Sequence, residues 1–279
     1  MKTKFIFHSF ILFFICNIFS AFIINAENKK AVVIGATSGM GRQTAKIIAK
    51  NGYDVGLVGR RIELLQSLQK EIPTKTYIKQ IDVTQDNATE LLEELIVEME
   101  GIDLILIAIS SYNDTHFEDT KEAQQKIIDV DLLGFHKMAE FALGHFRKQK
   151  SGHLVGISSF EGLRGNAKGP IYSATKAFIS RYLEGIRNEM IQKNISIYVT
   201  DIIPGWVDTE DTTLSKLPPT YWSKFPHTFW VATTQDAAVQ IYDAIKKKKK
   251  KAYITKRQII IAWLLKHMPD WLYNKLGGF

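Results

Sequence analysis

The sequence predicts an α/β protein in which helices cover both faces of a doubly wound parallel sheet. Short apolar runs of strand length alternate along the chain with longer amphipathic runs of helical period. Residues 102–109 are apolar at nearly every position, which is typical of a parallel strand covered on both faces. With no internal repeat and no linker, this alternation predicts a single domain.

The elements are predicted in the following order. Strands span residues 31–34, 53–58, 76–81, 102–109, 152–157, 195–203 and 252–255. Helices span residues 42–51, 62–71, 84–100, 121–150, 172–193 and 235–246, with Thr84 as an N-cap and a break at Gly134. Residues 210–233 are rich in Thr, Pro and aromatic side chains. Because ligands bind at the carboxyl ends of such strands, we expect this stretch to form a helical lid over the substrate.

Composition bounds the kinds of site that the chain can carry. Its 279 residues suffice for one large α/β domain with a substantial core. The one cysteine, Cys16, excludes an internal disulfide, and the seven histidines show no metal-ligand spacing. The net charge of +7 comes partly from the lysines at 246–251. We expect this run to be a solvated helix end or loop, with an anionic membrane surface as the second interpretation and no nucleic-acid partner.

An N-terminal hydrophobic segment precedes the first strand. Residues 5–24 carry no charged side chain and are long enough to cross a bilayer, and Lys2 and Lys4 give the basic start of a signal peptide. We expect residues 1–27 to be a membrane anchor or an uncleaved signal. The protein would then be membrane-associated, and the sequence does not indicate on which side of the membrane it lies. The alternative is an over-long gene model, with a cytoplasmic protein that starts near Lys29.

A glycine-rich turn joins the first predicted strand to the first helix. Its residues are Gly35, Ala36, Thr37, Ser38, Gly39, Met40 and Gly41. Glycines allow the backbone to approach a pyrophosphate, and the helix N-terminus presents N–H groups to it. The turn therefore predicts a dinucleotide site, although glycine-rich turns without a ligand are also common.

Two arginines follow the second predicted strand. An NAD site usually places a carboxylate there to hold the ribose 2′-hydroxyl, whereas a 2′-phosphate needs a cation. Gly59 and Arg60 occupy this place, which favours NADP(H) over NAD. Arg60 and Arg61 could simply begin the next helix, but cations at a helix N-terminus oppose its dipole, and a bound anion would relieve this.

The candidate catalytic residues are Ser159, Tyr172 and Lys176. Tyr172 and Lys176 are four residues apart, so they share a face on a helix. A phenol has a pKa of about 10, and a nearby ammonium favours its ionised form. Ser159, at the end of the preceding strand, would polarise a carbonyl beside that phenol. Tyr-x-x-x-Lys alone is common on exposed helices, so the surrounding motifs have to give the pair its meaning.

Together these motifs resemble those of the short-chain dehydrogenase/reductases. The resemblance covers about residues 30–255 and includes the glycine turn, Asp82-Val83, Ser159 thirteen residues before Tyr172, and Pro204-Gly205 followed by Thr209. It implies a Rossmann-like fold, a nicotinamide cofactor and an NAD(P)-binding domain over residues 28–257.

The resemblance also implies a role for each matching residue. Ser159 would polarise the substrate carbonyl, Tyr172 would be the general acid or base, and Lys176 would hold the nicotinamide ribose and lower the pKa of Tyr172. Asp82 and Val83 would border the adenine. The residues that would border the nicotinamide are Pro204, Gly205, Val207 and Thr209. The implied reaction interconverts a small carbonyl compound and an alcohol, and the aromatic lid and apolar C-terminus suggest a lipophilic one.

Two positions depart from the family pattern. Ile107-Ala108-Ile109-Ser110 replaces Asn-Asn-Ala-Gly after the fourth strand, and we expect Ile109 to crowd the cofactor. Asp131, the fourth candidate catalytic residue, stands where the family tends to have an asparagine, and its charge is expected to alter a water relay to Lys176. These changes permit a non-catalytic, cofactor-binding regulatory or membrane-scaffolding protein, but the intact Ser-Tyr-Lys set favours catalysis.

The C-terminal residues 258–279 are predicted to form an apolar helix. Trp263, Trp271 and Tyr273, together with the preceding lysines, resemble an interfacial membrane segment. Packing against the domain, or against a second subunit in a homo-oligomer, is equally compatible with this pattern.

Overall fold

The structure is a computed structural model that describes residues 28–111, 120–209, 231–255 and 258–275. The N-terminal hydrophobic segment and residues 210–230 of the expected lid lie outside the described residues. The strands are β1 (Lys30–Ile34), β2 (Asp54–Gly59), β3 (Thr76–Gln80), β4 (Leu104–Ile107), β5 (Ser151–Ile157), β6 (Ser196–Pro204), β7 (Val207–Asp208), β8 (Ala232–Thr233) and β9 (Lys251–Ile254).

The helices alternate with these strands. They are α1 (Gly39–Lys50), α2 (Ile62–Glu71), α3 (Ala88–Glu98), α4 (Lys121–Ile127), α5 (Phe135–Gln149), α6 (Pro170–Gln192), α7 (Thr234–Lys246), α8 (Ile259–His267) and α9 (Asp270–Lys275). A π-helical segment, Ile128–Gly134, joins α4 to α5, and a 3₁₀ helix, Phe160–Leu163, follows β5.

The main sheet has seven strands in the order β3-β2-β1-β4-β5-β6-β9, and every neighbouring pair is parallel. The chain winds outward from β1 to β3 and then returns to β4 on the other side of β1. This reversal opens a crevice between β1 and β4 at the carboxyl ends of the strands, where ligands bind in sheets of this kind. The predicted Rossmann-like doubly wound sheet is confirmed.

Two apolar cores lie on opposite faces of the sheet. One packs α3, α5 and α6 against the strands, with Leu92, Phe146 and Leu183 fully buried. The other packs α1, α2 and α7, with Ile48, Leu65 and Ile241 fully buried. The central strands are buried along their length because both faces are covered, which explains their continuous apolar sequences.

Some predicted element bounds were wrong. Thr84 does not cap α3, which begins at Ala88 with Asn87 as its N-cap. The reason is local, because the backbone N–H and the hydroxyl of Thr84 both donate to Asp82 Oδ1, at 3.0 and 2.8 Å. The helix predicted for residues 121–150 is continuous, but it widens into the π-helical segment that ends at Gly134.

The C-terminal helices pack against the domain through one face. Ala262, Leu265 and Tyr273 are buried, whereas Trp263 and Trp271 are 60% and 69% exposed. Among the helices of the described residues, none combines the length and apolar character needed to cross a bilayer.

The lysine run joins α7 to the edge strand β9 as an exposed turn, as its first interpretation predicted. Lys247 and Lys249 pair with Asp243, and Lys248 lies 3.8 Å from the ring centre of Tyr198. Three of the lysines in this run therefore interact with side chains of the same domain.

His153 is a buried histidine on β5. Its Nε2 lies 2.8 Å from Thr200 Oγ1, and that hydroxyl donates in turn to the carbonyl of Lys249 at 2.6 Å. The hydroxyl proton is therefore committed, and Nε2 is the donor of a neutral imidazole. Burial, assisted by the charge of Lys248, lowers the pKa of His153 from 6.5 to about 4.

We predict that His153 makes the fold sensitive to acid. The unfolded chain takes up a proton at His153 near pH 6.5, but the folded chain does so only near pH 4, so the stability from the neutral ring is lost as pH falls between these values. The slope is on the order of 1.4 kcal/mol per pH unit. Urea unfolding from pH 7 to 4.5 should show a shallower decline for His153→Gln than for the native chain. The control is His145→Gln on α5, and parallel curves for the native and His153→Gln proteins would contradict the prediction.

Candidate active site

A cleft of about 430 Å³ opens at the carboxyl ends of the strands. All of the predicted site residues except Asp131 line it. They are Gly35, Thr37, Ser38, Gly39, Met40, Gly41, Arg60, Asp82, Val83, Ser159, Tyr172, Lys176, Pro204, Gly205, Val207 and Thr209. The topology therefore brings together motifs that are spread over about 175 residues of sequence.

The glycine turn at the β1 end of the cleft is closed by backbone contacts. Gly35 has a φ of +90°, and a Cβ there would lie 2.5 Å from the carbonyl oxygen of Ala108. A Cβ at Gly41 would lie 2.2 Å from the carbonyl oxygen of Gly35. Only glycine allows α1 to start this close to the sheet, so its N-terminus points into the cleft.

The N-terminus of α1 meets a guanidinium group. Ser38 is the N-cap, but its hydroxyl makes no capping bond and instead accepts from Arg61 Nη2 at 2.9 Å. Arg61 Nη2 also donates to Thr37 Oγ1 at 3.0 Å. No acidic residue lies in the first turn of α1. Helical N–H groups beside an arginine form an anion site, and this fits the phosphates of a dinucleotide.

Arg60 and Arg61 differ in their placement. Both are exposed and line the cleft, but Arg61 contacts the glycine turn, whereas the backbone carbonyl of Arg60 accepts from Gln80 Nε2 at 2.8 Å. Sequence reasoning selected Arg60 because it directly follows the strand. The contacts of Arg61 depend on the turn of the chain into α2, which the spacing alone does not give.

Ser159 is positioned by the end of β5. It is the N-cap of the 3₁₀ helix, and its Oγ accepts from the backbone N–H of Glu161 at 3.2 Å. The hydroxyl proton is thereby left to donate to another group. Its neighbour Ser158 donates to Asp201 Oδ1 on β6, and Ser180 of α6 donates to Asp201 Oδ2, both at 2.6 Å. This network fixes β5, β6 and α6 relative to one another.

Tyr172 and Lys176 lie on the first turns of α6, which begins at Pro170. Lys176 is only 2% exposed, and its ammonium lies 5.3 Å from the ring centre of Tyr172. Both side chains also line the cleft, so the ammonium and the phenol are available to one bound molecule. The arrangement therefore suits Tyr172 to transfer a proton.

Asp131 is fully buried and does not line the cleft, but it binds cleft-lining residues. Its Oδ2 lies 2.9 Å from Lys176 Nζ. Ser110 Oγ donates to Oδ2 at 3.0 Å, and the backbone N–H of Ser111 donates to Oδ1 at 2.7 Å. Asp131 therefore holds the lysine directly rather than through a water relay.

The π-helical segment brings Asp131 into this position. A Cβ at Gly134, where the segment ends, would lie 2.6 Å from Val83 Cγ2. Glycine therefore allows the widened turn to sit directly against the strand end that carries Asp82 and Val83. Such π-helical turns often occur at functional sites.

Ser110 and Asp131, which both depart from the family pattern, contact each other. Ser110 follows β4 in place of a glycine, and it binds the aspartate that replaces the asparagine. Ile109, expected to crowd the cofactor, lines the cleft and also packs against the apolar core of the α3 face.

Several residues that line the cleft were not among the predicted site residues. They are Arg61, Ser110, Ser111, Lys126, Ser158, Phe160, Glu161 and Trp206. The simultaneous change at positions 110 and 131 was the available signal for Ser110. A carboxylate two residues after the candidate serine was the signal for Glu161. The described part of the chain holds no cluster of three or more histidine, cysteine or carboxylate side chains suited to a metal ion.

Comparison with known proteins agrees with the fold. Residues 29–217 match the family model of the short chain dehydrogenases. An uncharacterized oxidoreductase of Myxococcus xanthus is 34% identical over 195 residues, which are 68% of this chain and 76% of that protein.

Solved structures with the same fold include complexes with both nicotinamide dinucleotides. The closed form of a serine dehydrogenase complexed with NADP+ is 25% identical, with a TM-score of 0.71 over 81% of this chain and 94% of the other. A short chain dehydrogenase/reductase from Burkholderia phymatum in complex with NAD is 15% identical, with a TM-score of 0.74 over 90% and 96%, which shows the fold alone. On the family match and the identity to its oxidoreductase relatives, this chain belongs to the short-chain dehydrogenases and is an NAD(P)-dependent oxidoreductase.

Proposed function

We propose that this protein is an NADP(H)-dependent oxidoreductase that interconverts a small carbonyl compound and its alcohol at Ser159, Tyr172 and Lys176. The observation that carries the proposal is the buried ammonium of Lys176, which lies 5.3 Å from the ring centre of Tyr172 in a cleft that Ser159 also lines. The family supplies the general reaction, and this geometry supplies the groups for its proton transfer.

Each side chain has a separate task in carbonyl reduction. The nicotinamide, when bound, supplies the hydride that is added to the carbonyl carbon. Ser159 donates a hydrogen bond to the carbonyl oxygen, and this stabilises the negative charge that develops there. Tyr172 gives its proton to the same oxygen, which becomes the hydroxyl of the alcohol. Lys176 stabilises the phenolate that remains, and in alcohol oxidation the phenolate takes the proton back.

Asp131 acts in this scheme as a positioning residue for Lys176. A lysine ammonium has three donors, and the contact with Asp131 uses one of them and fixes the direction of the others. Since both carboxylate oxygens of Asp131 also accept from Ser110 or Ser111, the ion pair has one geometry. The cofactor ribose would take a remaining donor.

The preference for NADP(H) is supported by the charges at the end of β2. Gly59 ends the strand where a carboxylate would select NAD, and the next two residues are arginines that line the cleft. The structural relatives include complexes with NADP+ and with NAD, so we base the preference on Arg60 and Arg61.

We also propose that the protein associates with a membrane. Besides the apolar residues 5–24, the proposal is supported by α8 and α9, on which Ile260 is 68% exposed and Trp263 and Trp271 point outward. Recovery of the full-length chain in the supernatant after high-speed centrifugation of cell lysate would contradict it.

Replacement of Tyr172 by phenylalanine should remove the general acid and leave the cleft intact. We expect carbonyl reduction to fall by about 100- to 10,000-fold, while NADPH binding, followed by fluorescence, changes little. The matched control is Tyr182→Phe, which removes a hydroxyl from the same helix at a contact with Glu140. Turnover in Tyr172→Phe close to the native rate would exclude the proposed role.

Replacement of either arginine should weaken NADPH more than NADH. A charge-assisted hydrogen bond to a phosphate is worth about 1.5–3 kcal/mol, so we expect the Kd for NADPH to rise by about 10- to 100-fold in Arg60→Ala or Arg61→Ala. The control is Arg181→Ala, at an exposed position on α6. Equal affinities of the native protein for NADH and NADPH would refute the assignment.

Loss of the carboxylate at position 131 should destabilise the protein. Asp131→Ala leaves the buried Lys176 without its counter-charge, and breaking a buried ion pair in this way costs about 3–5 kcal/mol. Asp131→Asn keeps one acceptor and should cost less. The control is Asp129→Ala in the same segment, whose carboxylate accepts from Gln125. Chemical unfolding of the three variants measures the difference, and a change below about 1 kcal/mol in Asp131→Ala would show that the pair contributes little.

A further inference from the structure

An acidic side chain, Glu161, lies in the cleft wall close to Ser159 in the sequence. Glu161 lines the cleft together with Ser159, Tyr172 and Trp206. It is the second residue of the 3₁₀ helix that follows β5, and its backbone N–H donates to Ser159 Oγ. A molecule that presents a carbonyl to Ser159 therefore binds close to the segment that carries Glu161.

The carboxylate of Glu161 has no counter-ion among the described residues. Its Oε2 accepts from Asn166 Nδ2 at 3.0 Å, and this neutral amide is its one side-chain partner there. Burial raises the pKa of Glu161, which means that the protein around it does not fully stabilise its charge. Glu161 is half-buried, and a carboxylate that loses part of its water without gaining a counter-ion would be stabilised by a cationic ligand group.

Lys176 and Arg164 are both engaged with other groups. Lys176 attracts Glu161 electrostatically, but its ammonium is in direct contact with Asp131. Arg164, three residues further along the chain, donates to the carbonyl of Met268 and to Asp270, both at 2.6 Å. Neither side chain forms an ion pair with Glu161, so its carboxylate is open to a cationic group of a ligand bound in the cleft.

An aromatic ring completes the features that recognise a cation. Trp206 lines the same cleft and packs edge-to-face with Phe160, with ring centres 5.1 Å apart, and an indole ring attracts ammonium groups. A carboxylate with an unused oxygen and an indole, both at the wall of the cleft, suit a primary amine.

We propose that Glu161 is a substrate-binding residue and that the preferred substrate carries a protonated amine within a few bonds of the carbonyl or alcohol carbon. This inference rests on the proposed function and names the substrate class of the same site. It differs from the expectation of a lipophilic substrate, which came from the apolar C-terminus and the aromatic residues of the expected lid.

The test compares ketones of matched shape in the NADPH-dependent reaction. Aminoacetone, hydroxyacetone and 2-butanone differ only in an ammonium, hydroxyl or methyl group at one position. We expect the native enzyme to favour aminoacetone over 2-butanone by at least about tenfold in kcat/KM, and Glu161→Gln to lose that preference through KM. Glutamine keeps an acceptor for Asn166, so the variant removes the charge and not the loop contact. Glu98→Gln, an exposed position on α3, is the control for loss of one negative charge.

A binding measurement separates this inference from the proposed function. Butylammonium and 1-butanol are titrated by calorimetry into the protein saturated with NADP+, where no turnover is required. We expect butylammonium to bind at least about tenfold more tightly, and Glu161→Gln to abolish the difference.

Equal binding of the two compounds, or an ammonium preference that survives in Glu161→Gln, would overturn the inference even if carbonyl reduction is established. Ammonium-selective binding without reduction of any ketone would instead support the role of Glu161 and count against the proposed reaction.

Discussion

The contact between Lys176 and Asp131 is the interaction on which the geometry of the cleft depends. Lys176 belongs to α6, Asp131 to the π-helical segment, and the groups that bind Asp131 belong to the chain just after β4. This ion pair and its hydrogen bonds thus join three separate segments of the chain, and both charged side chains are buried. Because the desolvation of both charges is costly, the pair is stable only with its additional hydrogen bonds in place.

The sequence predicted the architecture and most of the cleft because both depend on local patterns. Apolar runs of strand length gave the parallel sheet, and the glycine turn, Ser159 and the Tyr172–Lys176 pair are short motifs whose members lie near one another in the chain. Their meeting follows from the rule that parallel strands share one carboxyl edge. The motifs that follow the strands therefore meet in one cleft.

The features that could not be predicted are side-chain contacts that depend on how the chain packs. Arg61 rather than Arg60 contacts the glycine turn because of how the chain enters α2. The separation of 21 positions between Ser110 and Asp131 hid a direct hydrogen bond. Thr84 has the residue type of a helix cap, but the nearby Asp82 competes for its donors. In each case a side chain has more than one plausible partner, and only the packed structure selects one.

The C-terminal segment takes part in shaping the cleft through Gln258. Its side chain accepts from the backbone N–H of Trp206 at 2.7 Å and donates to the backbone carbonyl of the same residue at 3.2 Å. A Cβ at Gly205 would coincide with Gln258 Oε1, at 1.5 Å, so the neighbouring glycine is part of this clamp. Both hydrogen bonds are made to the main chain, and neither involves the indole. The clamp therefore fixes the main chain at this wall of the cleft without fixing which side chain stands at position 206, so the wall can be reshaped there while the C-terminal segment still holds it.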